Sequence, residues 1–389
     1  MPDRAGLATV SAYGVACLVH LLMAGLLTGG LLLVVLGLKT VVQPLIGLLM
    51  LGFAVPMRPR FGKLDPDLPT LRRMDAPALY ALLDDIAATA GVRRLDAVQV
   101  SADFAVRVST YGIRRRRRME LGLPLWLTLA PQQRVAAVAH EFGHFVSRDI
   151  RRGALVGIAL GSLAGGAKLM EQRPDTSESA VPAPLLLRHA DQMAEYLYRF
   201  NARGKLANWA LGIPGLVVRG AARLLVRLTL PGARRAEFQA DAVAARIAST
   251  QAAVSALRDR HLADVVNVEV NRMAIAAHTF SRTRAGQSTY PDFWAKVAAH
   301  VAALPDSERE RLHGVDLSNV TTTDSDPLGS PAKDSGLPSS SLRVARLSLG
   351  AAQPAAVTLD AAGADAIEYE LRESKSRLAR QVVQDCVRT

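Results

Sequence analysis

The chain opens on two uncharged runs. Ala5 to Leu38 contains no Asp, Glu, Lys or Arg, and after Lys39 the run Thr40 to Met57 is uncharged again. A membrane-spanning helix needs about 20 apolar residues, so the first run is ample and the second just long enough. With one charge between them, the pattern predicts a hairpin of two membrane helices. A cleaved signal peptide fits less well, because the first run is too long for its apolar segment and a second run follows at once. Beyond Leu64 the pattern changes. Leu71, Met74, Leu79, Leu82, Leu83 and Ile86 line one side of a helix predicted over Thr70 to Gly91. Leu95 to Ser101, Phe104 to Thr110 and Met119 to Leu125 read as short extended segments. Pro131 to Asp149 then returns to helical spacing through Val135, Val138, Ala139, Phe142, Phe145 and Val146.

Further on, Gly153 to Ala167 is apolar and uncharged but only 15 residues long, which suits a buried or interfacial helix better than a span. In Leu206 to Leu230, Arg219, Arg223 and Arg227 recur every fourth residue opposite Val217, Ala221, Leu224, Leu225 and Leu228. Such a basic amphipathic helix lies on a membrane or packs on a partner element. Arg235 to Ala248 is a further helix. Thr321 to Ser341 is rich in Ser, Pro, Gly and Asp and reads as a flexible linker. Leu342 to Thr389 then carries a short apolar stretch and a charged helix from about Ala362. The expected fold class is therefore α+β, mainly helical, with a small sheet. The expected divisions are residues 1–57 as the hairpin, 58–320 as the main domain, 321–341 as the linker and 342–389 as an appendage of unassigned role.

Composition sharpens this picture at three points. Hydrophobic residues make up 50% of the 389, and the excess lies at the front. The formal charge is +12, and Arg114 to Arg118 is an unbroken run of five arginines. Nucleic acid is an unlikely partner, because the run lacks interleaved aromatics and no nucleic-acid fold signature surrounds it. Anionic lipid headgroups and a plain solvated loop remain its two readings. The two cysteines, Cys17 and Cys386, leave no disulfide framework and no cysteine metal site. Arg58, Arg60 and Lys63 follow the second run and Arg4 precedes the first, so the positive-inside rule puts the N-terminus and everything after Met57 in the cytoplasm.

The chemistry is concentrated in His140-Glu141-Phe142-Gly143-His144, an H-E-x-x-H within the Pro131 helix. Residues four apart share a helix face, so both imidazoles can reach one metal ion, and the intervening glutamate points at the metal's water as a general base. A catalytic zinc normally has three protein ligands plus water, so a third is expected downstream. Glu237 and Asp241 are four apart on the Arg235 helix. One carboxylate on that face could complete a His-His-Glu site, and the other could accept a hydrogen bond from a ligand histidine. Met119 to Leu123, directly before the H-E-x-x-H helix, reads equally as a core strand or as an edge strand that pairs with an extended peptide.

H-E-F-G-H-F-V-S-R-D followed by R-R-A-E-F-Q-A-D-A resembles the membrane-anchored zinc metallopeptidases of the HtpX and CAAX prenyl protease type, over roughly Leu71 to Pro327. The resemblance implies a gluzincin-like catalytic domain behind a membrane hairpin. It also implies Zn²⁺ held by His140, His144 and Glu237, Glu141 as general base, Asp241 behind the ligands and a structural Asp149. Such families usually carry a later His-Pro with an arginine a few residues on. The corresponding stretch is placed at Asp326-Pro327, where aspartate replaces the histidine and no arginine follows until Arg343. His278, His313 and Arg343 are the candidate substitutes.

The reading from sequence is a multi-pass, cytoplasm-facing zinc endopeptidase acting on membrane or misfolded proteins, with lipids as its surroundings. Nothing in the pattern specifies an oligomeric state. Two rivals stand beside it. One is an inactive membrane scaffold that retains the zinc site, motivated by Asp326 and the missing arginine. The other is an intramembrane protease, which the polar neighbours Gln132, Gln133, Arg134, Arg148 and Arg151 oppose.

Overall fold

The computed structural model describes residues 3–38, 40–55, 58, 62–146, 155–164, 190–283, 292–313 and 337–386, with backbone alone over 3–9, 190–215, 280–283 and 313. It is mainly helical, with one small sheet. Two compact units emerge, divided at residues 60/61, 150/151 and 232/233 among others.

The first unit contains α1 (Asp3–Leu36), α2 (Val42–Ala54), α3 (Leu155–Ala164) and the front of α4 (Ala190–Ala248). Within α1, Val10–Leu36 is long and apolar enough to cross a membrane. The second run is shorter than expected. Its helix has 13 residues, or about 20 Å at 1.5 Å per residue. It starts only after the turn at Thr40 and ends at Ala54, two residues before Pro56. α1 and α2 meet at glycines: a Cβ built on Gly47 would lie 2.6 Å from the carbonyl oxygen of Gly30. Small residues at such a crossing let the backbones touch. Nearer the start of α1, Ala12, Ala16, Val19 and Met23 pack with Val156, Ala159 and Leu163 of α3 and Ala222 and Leu225 of α4. The buried stripe of α4 is thus rotated from the predicted one, since Val217 and Leu224 are exposed. The two helices expected before and after Pro231 are one continuous element. Pro231-Gly232 marks the boundary between the units inside it.

In the second unit a four-stranded sheet runs in the order β1 (Thr70–Leu71), β2 (Ala97–Ser101), β4 (Arg116–Gly122), β3 (Val106–Tyr111). β2 and β4 are parallel and the outer pairs antiparallel. Of the two readings of Met119 to Leu123, the core strand is the one found: β4 is paired on both sides, and β1 and β3 form the edges. The arginine run is also divided. Gly112 (φ 68°) and Arg115 (φ 50°) make the turn, while Arg116 to Arg118 belong to β4. Beyond Gly122, Pro124 at the start of a helix ends the extended segment and opens α6 (Leu123–Thr128).

The helix expected from Thr70 begins later, as α5 (Pro77–Ala90). Pro77 sets its first turn, Met74 is 91% exposed in the preceding turn, and Gly91 in the left-handed region closes it. α5 and α7 (Pro131–Val146) cover the sheet, burying Leu79, Leu83 and Ile86 with Val98, Val100, Met119 and Leu121, and Val135, Val138 and Phe142 of α7. α8 (Thr250–Asp259), α9 (Ala263–Thr283), α10 (Phe293–Ala302) and α11 (Asp306–His313) follow the end of α4. The C-terminal segment, expected as an appendage, is part of this core. It forms α12 (Ser340–Leu349) and α13 (Ala361–Asp385), and Ile367, Leu371, Leu378 and Val383 are buried in the same cluster. Glu370 of α13 accepts hydrogen bonds from the backbone N–H groups of Ala78 and Leu79 at 2.7 and 2.9 Å, satisfying donors that the first turn of α5 leaves unpaired.

Candidate metal centre and active site

Three helices assemble the centre. α7 is anchored first: the Gln132 side chain donates to the carbonyls of Ala248 and Val357 and accepts from the N–H of Leu359. Arg134, buried, donates to the carbonyls of Trp126 and Leu129. About two and a half turns further along α7, Gly143 faces α4. A Cβ there would lie 2.6 Å from Ala240 Cα and 3.1 Å from its carbonyl oxygen. Glycine is thus required for α7 and α4 to approach closely enough for their polar faces to meet.

On the meeting faces, candidate ligand atoms of His140, Glu141 and His144 all lie within 4.8 Å of one another. Glu237 of α4 reaches both rings, with Oε2 3.6 Å from His140 Nε2 and Oε1 3.7 Å from His144 Nε2. Asp241, one turn on, places Oδ1 3.0 Å from His140 Nδ1. His140 and Asp241 are buried, and His144 is about a third exposed. Two imidazoles and a carboxylate converging this way are a donor set suited to zinc or a similar divalent ion. Burial and the neighbouring His140 push the His144 imidazole below its ordinary pKa, which keeps it in the neutral form a metal ligand must have.

The sixth residue comes from the far end of the chain. Arg343 on α12 grips Asp241 with two parallel bonds, Nε to Oδ2 at 2.8 Å and Nη2 to Oδ1 at 2.6 Å. Its Nη1 lies 3.2 Å from Glu237 Oε2. Nη2 is also 3.4 Å from both ring nitrogens of His140, so the guanidinium lies against the imidazole rather than donating to one nitrogen. Although burial opposes its charge, the bond from Arg343 holds the Asp241 carboxyl down at about 2. Arg343 is itself pushed up: burial works against its charge, and the bonds to Asp241 and the charges of Glu237 and Glu141 outweigh it.

Glu141 points the other way, toward the sheet. Its Oε2 accepts from the backbone N–H of Val108, on the open edge of β3, at 3.3 Å. The residues singled out from sequence, His140, Glu141, His144, Glu237 and Asp241, are thus brought together. Of the three candidate donors, Arg343 arrives at the site. The His313 side chain, Asp149 and Asp326 lie outside the described residues. Gly143 and Arg260, which shares the pocket beside His140 and Glu141, were not singled out from sequence. Gly143 carries a local signal, as a glycine in the middle of a helix that costs stability unless something packs against it.

A family model described as peptidase family M48 matches residues 75–348, more than half of the chain. The chain belongs to peptidase family M48. It is accordingly a metal-dependent peptidase, a hydrolase. No curated protein and no solved structure matches it. The matched stretch runs past Asp326-Pro327 and takes in Leu337-Pro338 and Arg343.

Proposed function

We propose that this M48 peptidase is a membrane-anchored zinc endopeptidase of the HtpX and CAAX prenyl protease type. The observation that carries the reading is the convergence of His140, His144 and Glu237 beside Glu141, with Glu141 turned toward an open strand edge. His140, His144 and Glu237 hold the zinc, and Asp241 accepts from His140 Nδ1–H and so fixes the tautomer that leaves Nε2 for the metal. When bound, the metal polarises the scissile carbonyl and makes water a stronger acid.

Glu141 takes the proton of the attacking water and delivers it to the leaving amine. Substrate lies extended along the outer edge of β3 near Val108, where unpaired backbone groups bind any sequence. Arg343 offsets the charge of Asp241 through two bonds and lies beside one oxygen of Glu237, which it would help to hold in place as a metal ligand. It also supplies the family's later arginine, with Leu337-Pro338 five residues before it standing where His-Pro is usual. The scaffold alternative drew on the absence of that arginine and loses its main support.

α1 anchors the chain, α2 returns beside it, and the catalytic unit faces the cytoplasm, in keeping with the basic residues after Met57. Membrane and misfolded proteins are the proposed substrates. The test is zinc content and peptidase activity of detergent-purified wild type, Glu237→Ala and Glu141→Gln. One zinc per chain in wild type and Glu141→Gln, loss of zinc in Glu237→Ala, and cleavage by wild type alone are expected. Zinc retained by Glu237→Ala, or cleavage by Glu141→Gln, would overturn the assigned roles.

A further inference from the structure

Arg260 follows α8 directly and lines a narrow pocket whose catalytic end is His140, Glu141 and Asp241. The walls are apolar, from Val106 on β3, Leu129, Ala137 on α7 and Leu257 on α8. The two buried arginines of this core, Arg134 and Arg343, are both paired. Arg134 has two carbonyls and Glu368, and Arg343 has Asp241 and Glu237. Among the described residues, the partly exposed Arg260 side chain has no hydrogen-bond or ion-pair partner. Burial and the nearby charge of Arg343 push its guanidinium below its ordinary range, and Glu141, Glu237 and Asp241 act on it only at longer reach. It remains a cation at neutral pH, because arginine is not deprotonated in proteins. An unpaired guanidinium within apolar walls is unfavourable until an anion meets it, and its fork geometry fits a carboxylate with two bonds.

We propose that Arg260 sets a substrate preference: the pocket beside Glu141 receives a substrate residue that ends in a carboxylate. The apolar walls take its carbon stem and Arg260 takes its charge. The carboxylate comes either from an acidic side chain next to the scissile bond or from the C-terminus of the substrate. This deepens the peptidase reading and rests on it for the substrate's path along β3.

Binding tests the preference without requiring turnover. Full-length, zinc-loaded Glu141→Gln protein is titrated against fluorescent peptides that carry Glu, Gln or Lys at each position in turn. Every peptide is prepared with a free and an amidated C-terminus. At one position Glu should bind about tenfold tighter than Gln or more, as a charge-assisted hydrogen bond at a partly buried site predicts. Adding Arg260→Gln should erase the difference, and Arg260→Glu should turn the preference to Lys, an inversion that misfolding cannot produce. A difference between free and amidated termini instead of between Glu and Gln supports the same site with the C-terminus as its ligand. Equal affinities throughout, or a Glu preference that survives Arg260→Gln, would overturn the proposal. Wild type that binds the acidic peptide tightly and cuts none of the set would count against the peptidase reading and leave Arg260 standing. Wild type that cuts Glu and Gln peptides alike would do the reverse.

Discussion

Gly143→Ala adds one methyl group at the place where α7 and α4 touch. The new Cβ would lie 2.6 Å from Ala240 Cα and 3.1 Å from both its Cβ and its carbonyl oxygen. Carbon atoms in good contact are about 3.5–4.0 Å apart, so the helices must separate locally by roughly 1 Å. The obstacle is backbone, so no rotamer change relieves it. Overpacking of this kind costs about 1–3 kcal/mol, or a fall in Tm of roughly 3–10 °C for a unit of this size. The separation also carries Glu237 away from His140 and His144, now 3.6 and 3.7 Å from it. Zinc bonds are about 2.0–2.2 Å long, so a 1 Å displacement of one ligand is a large fraction of the bond. A zinc affinity loss of about 10- to 100-fold is expected, comparable with loss of a residue that supports a ligand. Competition with a chelating dye measures the affinity and thermal unfolding of the apo protein measures the cost. Gly220→Ala is the control, since nothing lies within 4 Å of a Cβ there. Ala240→Gly added to Gly143→Ala removes one 3.1 Å contact and leaves the 2.6 Å one, so it should rescue only in part. Wild-type Tm and zinc affinity in Gly143→Ala would refute the idea that helix approach sets the centre.

Other expectations follow from the same geometry. Arg343→Met leaves Asp241 buried without its cation and should cost about 3–5 kcal/mol in urea unfolding, with Arg343→Lys failing to restore the two-bond geometry. An unchanged unfolding midpoint would count against the network. Tyr80 is 2% exposed and burial pushes its phenol up to about 12. Its folded-state value is raised, so its stabilising contribution is complete below pH 10 and lost as pH rises from 10 to 12. At about 1.4 kcal/mol per unit the loss is about 2–3 kcal/mol over the whole window, of which about 1.3 kcal/mol falls between pH 9 and 11, and that part should be missing from Tyr80→Phe when unfolding is compared at those two pH values.

What could be read from the chain before the structure follows from where the chemistry is local. H-E-x-x-H and E-x-x-x-D are each confined to one helix, so the 3.6-residue period alone puts His140 with His144 and Glu237 with Asp241 on common faces. Bringing the two helices together is a tertiary event. Its determinant, Gly143 against Ala240, looks in sequence like any helical glycine. Arg343 was visible only as one of three loose donors, because the composition of 321–341 suggested a linker ending in an appendage. Two helices in fact complete the core, and Glu370 and Arg343 each bond to residues more than 100 positions away. Strand order was hidden for a similar reason. Met119 and Leu121 alternate as either an edge or a central strand would, and only the pairing of β4 on both sides made β3 the open edge.

The charges of the centre explain why its parts come from three distant segments. Glu141, Glu237 and Asp241 bring three negative charges to adjoining buried helix faces, and Arg343 offsets one. With neutral imidazoles the cluster carries two excess negative charges, a costly state in a low-dielectric interior. A divalent cation between His140, His144 and Glu237 cancels them. Arg260, a few side chains away, then makes the surroundings net positive. That sign favours a substrate carboxylate in the pocket and negative charge developing at the scissile carbonyl. Removing Arg260 should therefore slow cleavage of acidic peptides through binding. Removing Arg343 should weaken the metal centre itself, a difference that zinc titration of the two variants resolves.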